Sequence, residues 1–131
     1  MKRSSGLRSL SSEHHTALAL ARRAALAIDT DNVANAWSDV VSYFETELET
    51  HFRQEETLLL PALAQAGETD LVQRTLAEHA QLRALVNGQT RDAETLRLFT
   101  GLLQAHVRFE ERELFAIAQA RLPEFSIPMP T

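Results

Sequence analysis

The stretch His51-Phe-Arg-Gln-Glu-Glu-Thr-Leu-Leu59 returns near the end of the chain as His106-Val-Arg-Phe-Glu-Glu-Arg-Glu-Leu114. The two copies share His, Arg, Glu, Glu and Leu at matching positions. Residues at i and i+4 lie on one face of an α-helix, so each copy directs one imidazole and one carboxylate to the same side. The repeat therefore predicts two long helices that present the same pair of side chains.

Residues that break helices divide the chain around these copies into four segments. The breakers are the polar run at residues 29–32, Gly67 and Asn87-Gly88, and the predicted helices cover about residues 7–28, 33–66, 69–87 and 93–120. Pro61 is expected to kink the last turns of the second helix. Short turns make neighbouring helices antiparallel, so we predict an all-α, up-down-up-down four-helix bundle.

The predicted domain limits follow from the ends of the chain. Residues 1–9 are basic and are expected to form a flexible N-terminus, and residues 10–120 form the bundle. Residues 121–131 contain three prolines and predict a short, extended, Pro-rich tail.

Each helix carries an apolar stripe at three- and four-residue spacing, and these stripes are expected to face one another as the core. The predicted core residues are Leu7, Leu10, Ala17, Leu18, Ala21, Ala25 and Ile28, then Trp37, Val41, Phe44, Leu48, Leu58 and Ala62, then Val72, Leu76, Leu82 and Val86, then Leu96, Phe99, Leu103, Leu114 and Ile117.

Polar side chains interrupt these stripes, with one histidine on each helix. The interrupting residues are His14, His51, Glu55, His79, His106 and Glu110. A buried carboxylate is costly unless it is paired or binds a metal, and no Lys or Arg lies on the stripes. Imidazole and carboxylate together suit iron, manganese or zinc, so the six residues are predicted metal ligands. A helix with one histidine followed by a helix with His-x-x-x-Glu occurs twice, so two ions are expected. The rival interpretation is a metal-free bundle whose core histidines are hydrogen-bonded.

Two choices among neighbouring residues stay open in the sequence. His14 lies closer to the centre of the apolar face than His15 and is the favoured ligand of the first helix, although the repeat does not decide between them. Glu56 and Glu111 are expected to be solvated or paired with arginine, and a role as extra ligands is the less favoured interpretation. The aromatic candidates for an apolar wall around the site are Phe44, Phe52, Phe99 and Phe109.

Composition excludes several classes of function. The chain has 131 residues, a formal net charge of -5 and no cysteine. Thiolate metal sites and disulfides are thereby excluded, and the acidic balance argues against nucleic acid as a partner. No apolar run approaches the ~18 residues of a membrane span, and no signal peptide is evident, so a cytoplasmic protein is expected.

The motifs Glu-His-His at 13–15, His-Phe-Arg-Gln-Glu-Glu at 51–56, Glu-His at 78–79 and His-Val-Arg-Phe-Glu-Glu at 106–111 resemble the hemerythrin-like, or HHE cation-binding, family. The resemblance covers residues 10–120 and implies a non-haem di-iron centre, oxo- or hydroxo-bridged, inside a four-helix bundle. It implies that Glu55 and Glu110 bridge two iron ions and that the four histidines are terminal ligands, with manganese or zinc less favoured.

One departure from the family bears on function. Oxygen-carrying hemerythrins have a second histidine on the third helix, four residues from the first, where this chain has Thr75 and Arg83 around His79. Fewer histidines leave more open metal positions, which puts reversible oxygen carriage in doubt. The leading hypothesis is a di-iron protein that binds dioxygen or a related small ligand for storage or sensing. The alternatives are an enzyme acting on peroxide or nitric oxide and an iron- or oxygen-responsive regulator, with a protein partner or a homo-oligomer left open.

Overall fold

The computed structural model describes residues 3–128, and within them the ordered secondary structure is helical. Helix α1 spans Ser5–Leu26 and helix α3 spans Thr69–Asn87. Helix α2 covers residues 33–65 and helix α4 covers residues 93–121, and each of these two combines α-helical and π-helical segments without a break. The four predicted helices are confirmed, with ends that differ from the expected ones by one or two residues.

Helices α2 and α4 widen into π-helical turns at related places. In α2, α-helix covers Val33–Tyr43, Glu49–Gln54 and Leu60–Gln65, and π-helix covers Phe44–Leu48 and Glu55–Leu59. In α4, α-helix covers Ala93–Phe109 and Phe115–Arg121, and π-helix covers Glu110–Leu114. The turns that begin at Glu55 and Glu110 occupy equivalent positions of the sequence repeat. Helix α2 continues past Pro61 to Gln65.

Local hydrogen bonds fix where the helices begin and end. The Ser4 hydroxyl accepts from Leu7 N–H at the start of α1, and Asp92 forms a capping box with Thr95 at the start of α4. Helix α2 is followed, two residues after its last residue Gln65, by Gly67, whose φ of 91° places it in the left-handed region. There the Glu68 N–H donates to the Leu63 carbonyl, which closes a turn that favours glycine.

The helices form a ring in which α1 contacts α2 and α4, and α3 contacts α2 and α4. This confirms the antiparallel four-helix bundle. Its interior holds two apolar clusters, one around Trp37, Phe52 and Phe99 and one around Leu10, Leu63 and Phe115. The polar residues that interrupt the stripes lie along each helix between the two clusters, so apolar layers cover them on both sides.

Two predicted core residues, Leu76 and Ile117, are exposed rather than buried. Leu76 is 43% exposed, and Thr75 takes the inward position one residue earlier. Ile117 is 36% exposed, and Ala118 is buried in its place. A π-helical turn holds more residues than an α-helical turn, so the buried face beyond Leu114 moves by one residue. The same shift replaces the expected pair Leu58 and Ala62 with Leu59 and Leu63, both fully buried.

Both ends of the described chain pack against the bundle. Helix α1 begins at Ser5, inside the stretch expected to be a flexible terminus, because Leu7 is fully buried and Arg3 hydrogen-bonds to Glu111. Residues 122–128 are not helical, and Phe125 packs on the second apolar cluster while its carbonyl accepts from Gly6 N–H. The rest of the predicted tail, including Pro130, lies outside the described residues, as do residues 1–2.

Within residues 3–128, no helix combines the length and the apolar character that crossing a membrane requires.

Candidate metal centre

The structure brings the six predicted site residues together at one level of the bundle. Each is at most 4% exposed, although all six carry polar or ionisable side chains. They come from all four helices: His14 from α1, His51 and Glu55 from α2, His79 from α3, and His106 and Glu110 from α4. His15, the open alternative to His14, is exposed and belongs to neither group of potential ligands described below.

The six residues form two groups of four that share both glutamates. The first group is His14, His51, Glu55 and Glu110, and the second is Glu55, His79, His106 and Glu110. In each group, one potential ligand atom per residue lies within 4.8 Å of all the others. This is the arrangement expected of two neighbouring cation sites with two common carboxylates.

The oxygens of each shared glutamate face the two groups separately. Glu55 Oε2 lies 3.2 Å from His51 Nε2, and Glu55 Oε1 lies 3.0 Å from His79 Nε2. Glu110 Oε1 lies 2.9 Å from His14 Nε2, and Glu110 Oε2 lies 3.2 Å from His106 Nε2. Each carboxylate thus has one oxygen directed to each group, as a bridging ligand requires.

A second set of carboxylates holds the far side of every imidazole. The Nδ1 atoms lie 2.7–2.8 Å from glutamate oxygens in four pairs: His14 with Glu111, His51 with Glu13, His79 with Glu56, and His106 with Glu78. An ionised carboxylate can only accept, so Nδ1 carries the proton in each pair. The Nε2 atoms are therefore the ones that face the centre as potential metal ligands.

Several atoms at the centre are buried without a hydrogen-bond partner among the described residues. They are Nε2 of His51, His79 and His106, both carboxylate oxygens of Glu55, and Oε2 of Glu110. Buried polar atoms are rarely left unpaired, because each costs about 1–3 kcal/mol of unsatisfied desolvation. Lone-pair atoms that converge without donors between them fit bound cations, so these residues fit the metal site that the sequence predicts.

Arginines pair with three of the four outer carboxylates. Arg83 donates to Glu56 at 2.7 Å and also to Glu49, and Arg3 donates to Glu111 at 2.7 Å. As expected, Glu56 and Glu111 pair with arginine. Each also bonds to a site histidine. Arg74 donates to Glu78 at 3.0 Å and lies over the Phe109 ring.

Charge within the cluster changes the pKa of its members. Burial alone would lower the histidine pKa values, but the surrounding glutamates raise the pKa of His79 to about 9 and that of His106 to about 10. Glu55, Glu110 and Glu13 raise the pKa of His51 to about 12. Burial opposes ionisation of Glu110, yet the histidines hold the pKa of its carboxyl well below the usual range. Without metal, the imidazoles therefore carry the protons that balance the buried carboxylates.

Aromatic rings cover the imidazoles. Phe52 stacks on His79 with ring centroids 3.8 Å apart and meets His106 edge-on. Phe115 stacks on His14 at 5.3 Å. Of the rings expected around the site, Phe99 instead packs on Trp37, within the first apolar cluster. The sequence analysis missed Phe115, which follows the π-helical turn and is brought inward by it.

The sequence analysis also missed Glu13 and Glu78 as partners of the site histidines. Both directly precede a site histidine, in the Glu-His pairs at 13–14 and 78–79. That repeated pair was visible in the sequence. Which histidine each glutamate contacts was not visible, because Glu13 bonds to His51 of the next helix rather than to its own neighbour.

Comparison with known families agrees with this geometry. The family model described as the Hemerythrin HHE cation binding domain matches residues 5–118. The chain belongs to the hemerythrin HHE family. The family name and the buried His/Glu groups both indicate a cation-binding site. No curated protein and no solved structure matches the chain significantly.

Proposed function

We propose that this hemerythrin-like chain is a non-haem di-iron protein that binds dioxygen or a related small ligand inside the bundle. The observation that carries the proposal is the pair of four-residue groups that share Glu55 and Glu110. Two histidines on each side of two common carboxylates match a pair of cations rather than one. The proposed ligands are His14, His51, Glu55, His79, His106 and Glu110.

Charge around the centre supports a pair of cations. Six glutamates are potential ligands or hydrogen-bond partners of the four imidazoles, and the arginines beside them also pair with further glutamates, so negative charge is in excess when the imidazoles are neutral. Metal binding requires neutral imidazoles, and two divalent ions supply the missing positive charge. The nitrogen and oxygen donors suit iron, with manganese and zinc as competitors.

A bound iron pair would supply reversible electron transfer to dioxygen or a similar ligand. The chain would bind and orient the ions and exclude bulk water. The Nε2 atoms would bind the metal, while the outer glutamates fix the rotation and tautomer of each ring by accepting from Nδ1. Phe52 and Phe115 would limit water at the imidazoles by covering their faces.

Metal analysis and spectroscopy of one variant pair test this proposal. The wild-type protein, loaded with ferrous iron without oxygen, is expected to hold about two irons per chain by analogy with the two groups. Air should then produce near-ultraviolet charge-transfer absorption. His106→Ala should lose iron and this absorption, whereas His15→Ala should keep both because His15 is exposed. Less than one metal per chain in the wild-type protein would contradict the proposal.

One observation favours a peroxide-reactive enzyme as a second candidate. All four imidazoles donate to ionised carboxylates rather than to carbonyl oxygens. A charged acceptor raises the basicity of an imidazole ligand and thereby favours the ferric state over the ferrous state. A centre biased towards ferric iron suits turnover of an oxidant better than reversible carriage.

Cycling experiments separate the two candidates. Repeated removal and addition of oxygen should give reversible optical changes for a binder. Steady consumption of hydrogen peroxide by the iron-loaded protein, lost in Glu55→Ala, would instead support the enzyme.

A further inference from the structure

The two halves of the repeat differ along the row of residues that leads to the centre on α2 and α4. On α2 the row at four-residue spacing reads Tyr43, Glu47, His51, Glu55. The equivalent row on α4 reads Leu98, Leu102, His106, Glu110. The inner two residues are the same in both rows, while the outer two are polar on α2 and aliphatic on α4. The two sides of the bundle therefore differ in the polarity of the residues beside the ligands.

A small cavity lies beside the polar row, between α1 and α2. Its volume is about 40 Å³, and its lining residues are Glu13, Thr16, Tyr43, Glu47 and His51. A groove of about 360 Å³ at the surface shares Thr16, Tyr43 and Glu47 with the cavity and extends to Arg23 and Asp39. The cavity has room for more than one water molecule. Its wall includes His51, whose Nδ1 bonds to Glu13 of the same wall and whose Nε2 has no hydrogen-bond partner among the described residues.

The charges along this passage favour a cation. Within residues 3–128, no arginine lies within ion-pair distance of Glu13 or Glu47, whereas the equivalent of Glu13 in the other half, Glu78, is paired with Arg74. Glu13 is itself paired with His51, so Glu47 is the carboxylate of the cavity wall whose charge is not offset by an ion pair within residues 3–128. Such a charge in a partly enclosed space concentrates positive ions.

The local backbone distinguishes this side of the bundle as well. Phe44–Leu48 is π-helical, while the equivalent residues 99–103 of α4 are α-helical. The π-helical turn begins just after Tyr43 and contains Glu47. Such wider turns inside α-helices are frequently found at functional places, and here the turn lies along the cavity wall.

We propose that divalent metal ions reach the centre through this cavity between α1 and α2, guided by Glu47 and Glu13. The passage is called the α1–α2 portal and is lined by Glu13, Thr16, Tyr43, Glu47 and His51. Its role rests on the proposed metal centre, since an ion must have a destination. The equivalent row of α4 offers no carboxylate to guide a cation, because Leu98 and Leu102 stand where α2 has Tyr43 and Glu47.

The rate of metal loading tests the portal separately from the capacity of the centre. Apoprotein is mixed with Co²⁺ in a stopped-flow instrument, and the visible absorption of bound Co²⁺ gives both the rate and the final amount. Glu47→Gln should slow loading roughly threefold at low salt, as expected when one steering charge is lost. The final amount of Co²⁺ should equal that of the wild-type protein, because within residues 3–128 Glu47 forms no hydrogen bond or ion pair with the six ligands.

Matched controls make the result specific. Glu45→Gln removes the same charge from an exposed neighbour that lines a different groove, and it should load at the wild-type rate. Thr16→Leu fills the cavity without changing charge and should slow loading more than Glu47→Gln does. Raising the salt concentration should reduce the effect of Glu47→Gln and leave that of Thr16→Leu, because only the first is electrostatic.

Three results would overturn the portal. Equal loading rates for Glu47→Gln and Glu45→Gln would remove the steering role, and a wild-type rate for Thr16→Leu would exclude the cavity as the route. Slower azide binding to the loaded variants with unchanged Co²⁺ loading would assign the passage to small ligands instead. If the wild-type protein takes up no Co²⁺, the metal centre itself is wrong, which is a different outcome from a change in rate.

Discussion

At the scale of single residues, each site histidine is held at both nitrogens. Nδ1 donates to an outer glutamate, and Nε2 faces the shared carboxylates of Glu55 and Glu110. Two of the outer contacts join neighbouring helices within one half of the repeat, as His51 with Glu13 does, and two cross between the halves, as His14 with Glu111 does. The orientation of the four imidazoles therefore depends on how all four helices pack.

The first prediction concerns one of these outer glutamates. Glu78→Gln keeps an acceptor for His106 Nδ1 but removes its charge, and it also loses the ion pair with Arg74. We expect metal affinity to fall about 10-fold or more, because carboxylate partners of this kind orient the imidazole and raise its basicity. Competition with a chelator of known affinity measures the change.

The matched control for Glu78→Gln is Glu113→Gln. Glu113 is exposed and also contacts Arg74, but within residues 3–128 it forms no ion pair with a histidine. Its substitution should leave metal affinity unchanged. Equal affinities for the two variants would mean that the carboxylate contact to His106 has no influence on the metal.

The positions of the six site residues could be predicted from the sequence because their signal is local. One histidine per helix interrupts an apolar stripe, and Glu55 and Glu110 follow four residues after a histidine. Their role as ligands stays a prediction, while their meeting at one level is now seen. The partners Glu13 and Glu111 could not be predicted, since which carboxylate reaches which imidazole depends on how neighbouring helices are rotated.

At the scale of helices, the π-helical turns set which face is buried beyond the site. Both Glu55 and Glu110 begin such a turn, and the buried positions after it move by one residue. The apolar periodicity predicted that Ile117 would be buried, but it is exposed. A regular three- and four-residue pattern contains no sign of one inserted residue, so the sequence predicts helix limits well and the face of the last turns poorly.

The second prediction compares two helical glycines. Gly101 lies on α4 with open space where a Cβ would stand, so Gly101→Ala should stabilise the protein by roughly 0.5–1 kcal/mol through helix propensity. A Cβ on Gly6 would lie 2.6 Å from the Phe125 ring and 2.9 Å from its carbonyl oxygen. Gly6→Ala should therefore lower the melting temperature by displacing residues 122–128 from α1.

Thermal unfolding followed by circular dichroism measures both glycine variants. Phe125→Ala provides the comparison, because removing the ring relieves much of the clash and should reduce the further cost of Gly6→Ala. If Gly6→Ala stabilises the protein as Gly101→Ala does, the tail does not pack on α1 in solution.

At the scale of the whole molecule, protons and metal ions are alternative ways to neutralise one buried charge cluster. The raised histidine pKa values show that the metal-free bundle binds protons at the places where ions would bind. Metal binding must therefore release protons. The third prediction is that titrating Zn²⁺ into metal-free protein at pH 7 releases more than one proton per ion. Calorimetry in buffers of different ionisation enthalpy measures the number, and no dependence on the buffer would contradict it.

The fourth prediction is that removing the metal reverses how stability depends on pH. A histidine whose folded pKa lies above its unfolded value of 6.5 contributes stability below that value and loses it as pH rises through the folded pKa. With His79 near 9 and His106 near 10, the metal-free protein should become less stable from about pH 6.5 to 10. The metal-loaded protein should instead gain stability from pH 5 to 7, because protons compete with metal for the imidazoles.

Melting temperatures across this pH range, with and without a chelator, distinguish the two forms. The carboxyls of Glu110 and Glu111 have lowered pKa values, so both forms should also lose stability as pH falls below about 4.5. His15→Ala should reproduce the wild-type curves, since that ring is exposed. A metal-free melting temperature that stays constant or rises from pH 6.5 to 9 would mean that the buried imidazoles are not the groups that balance the glutamates. Two bound cations would then not be needed to balance the buried glutamates.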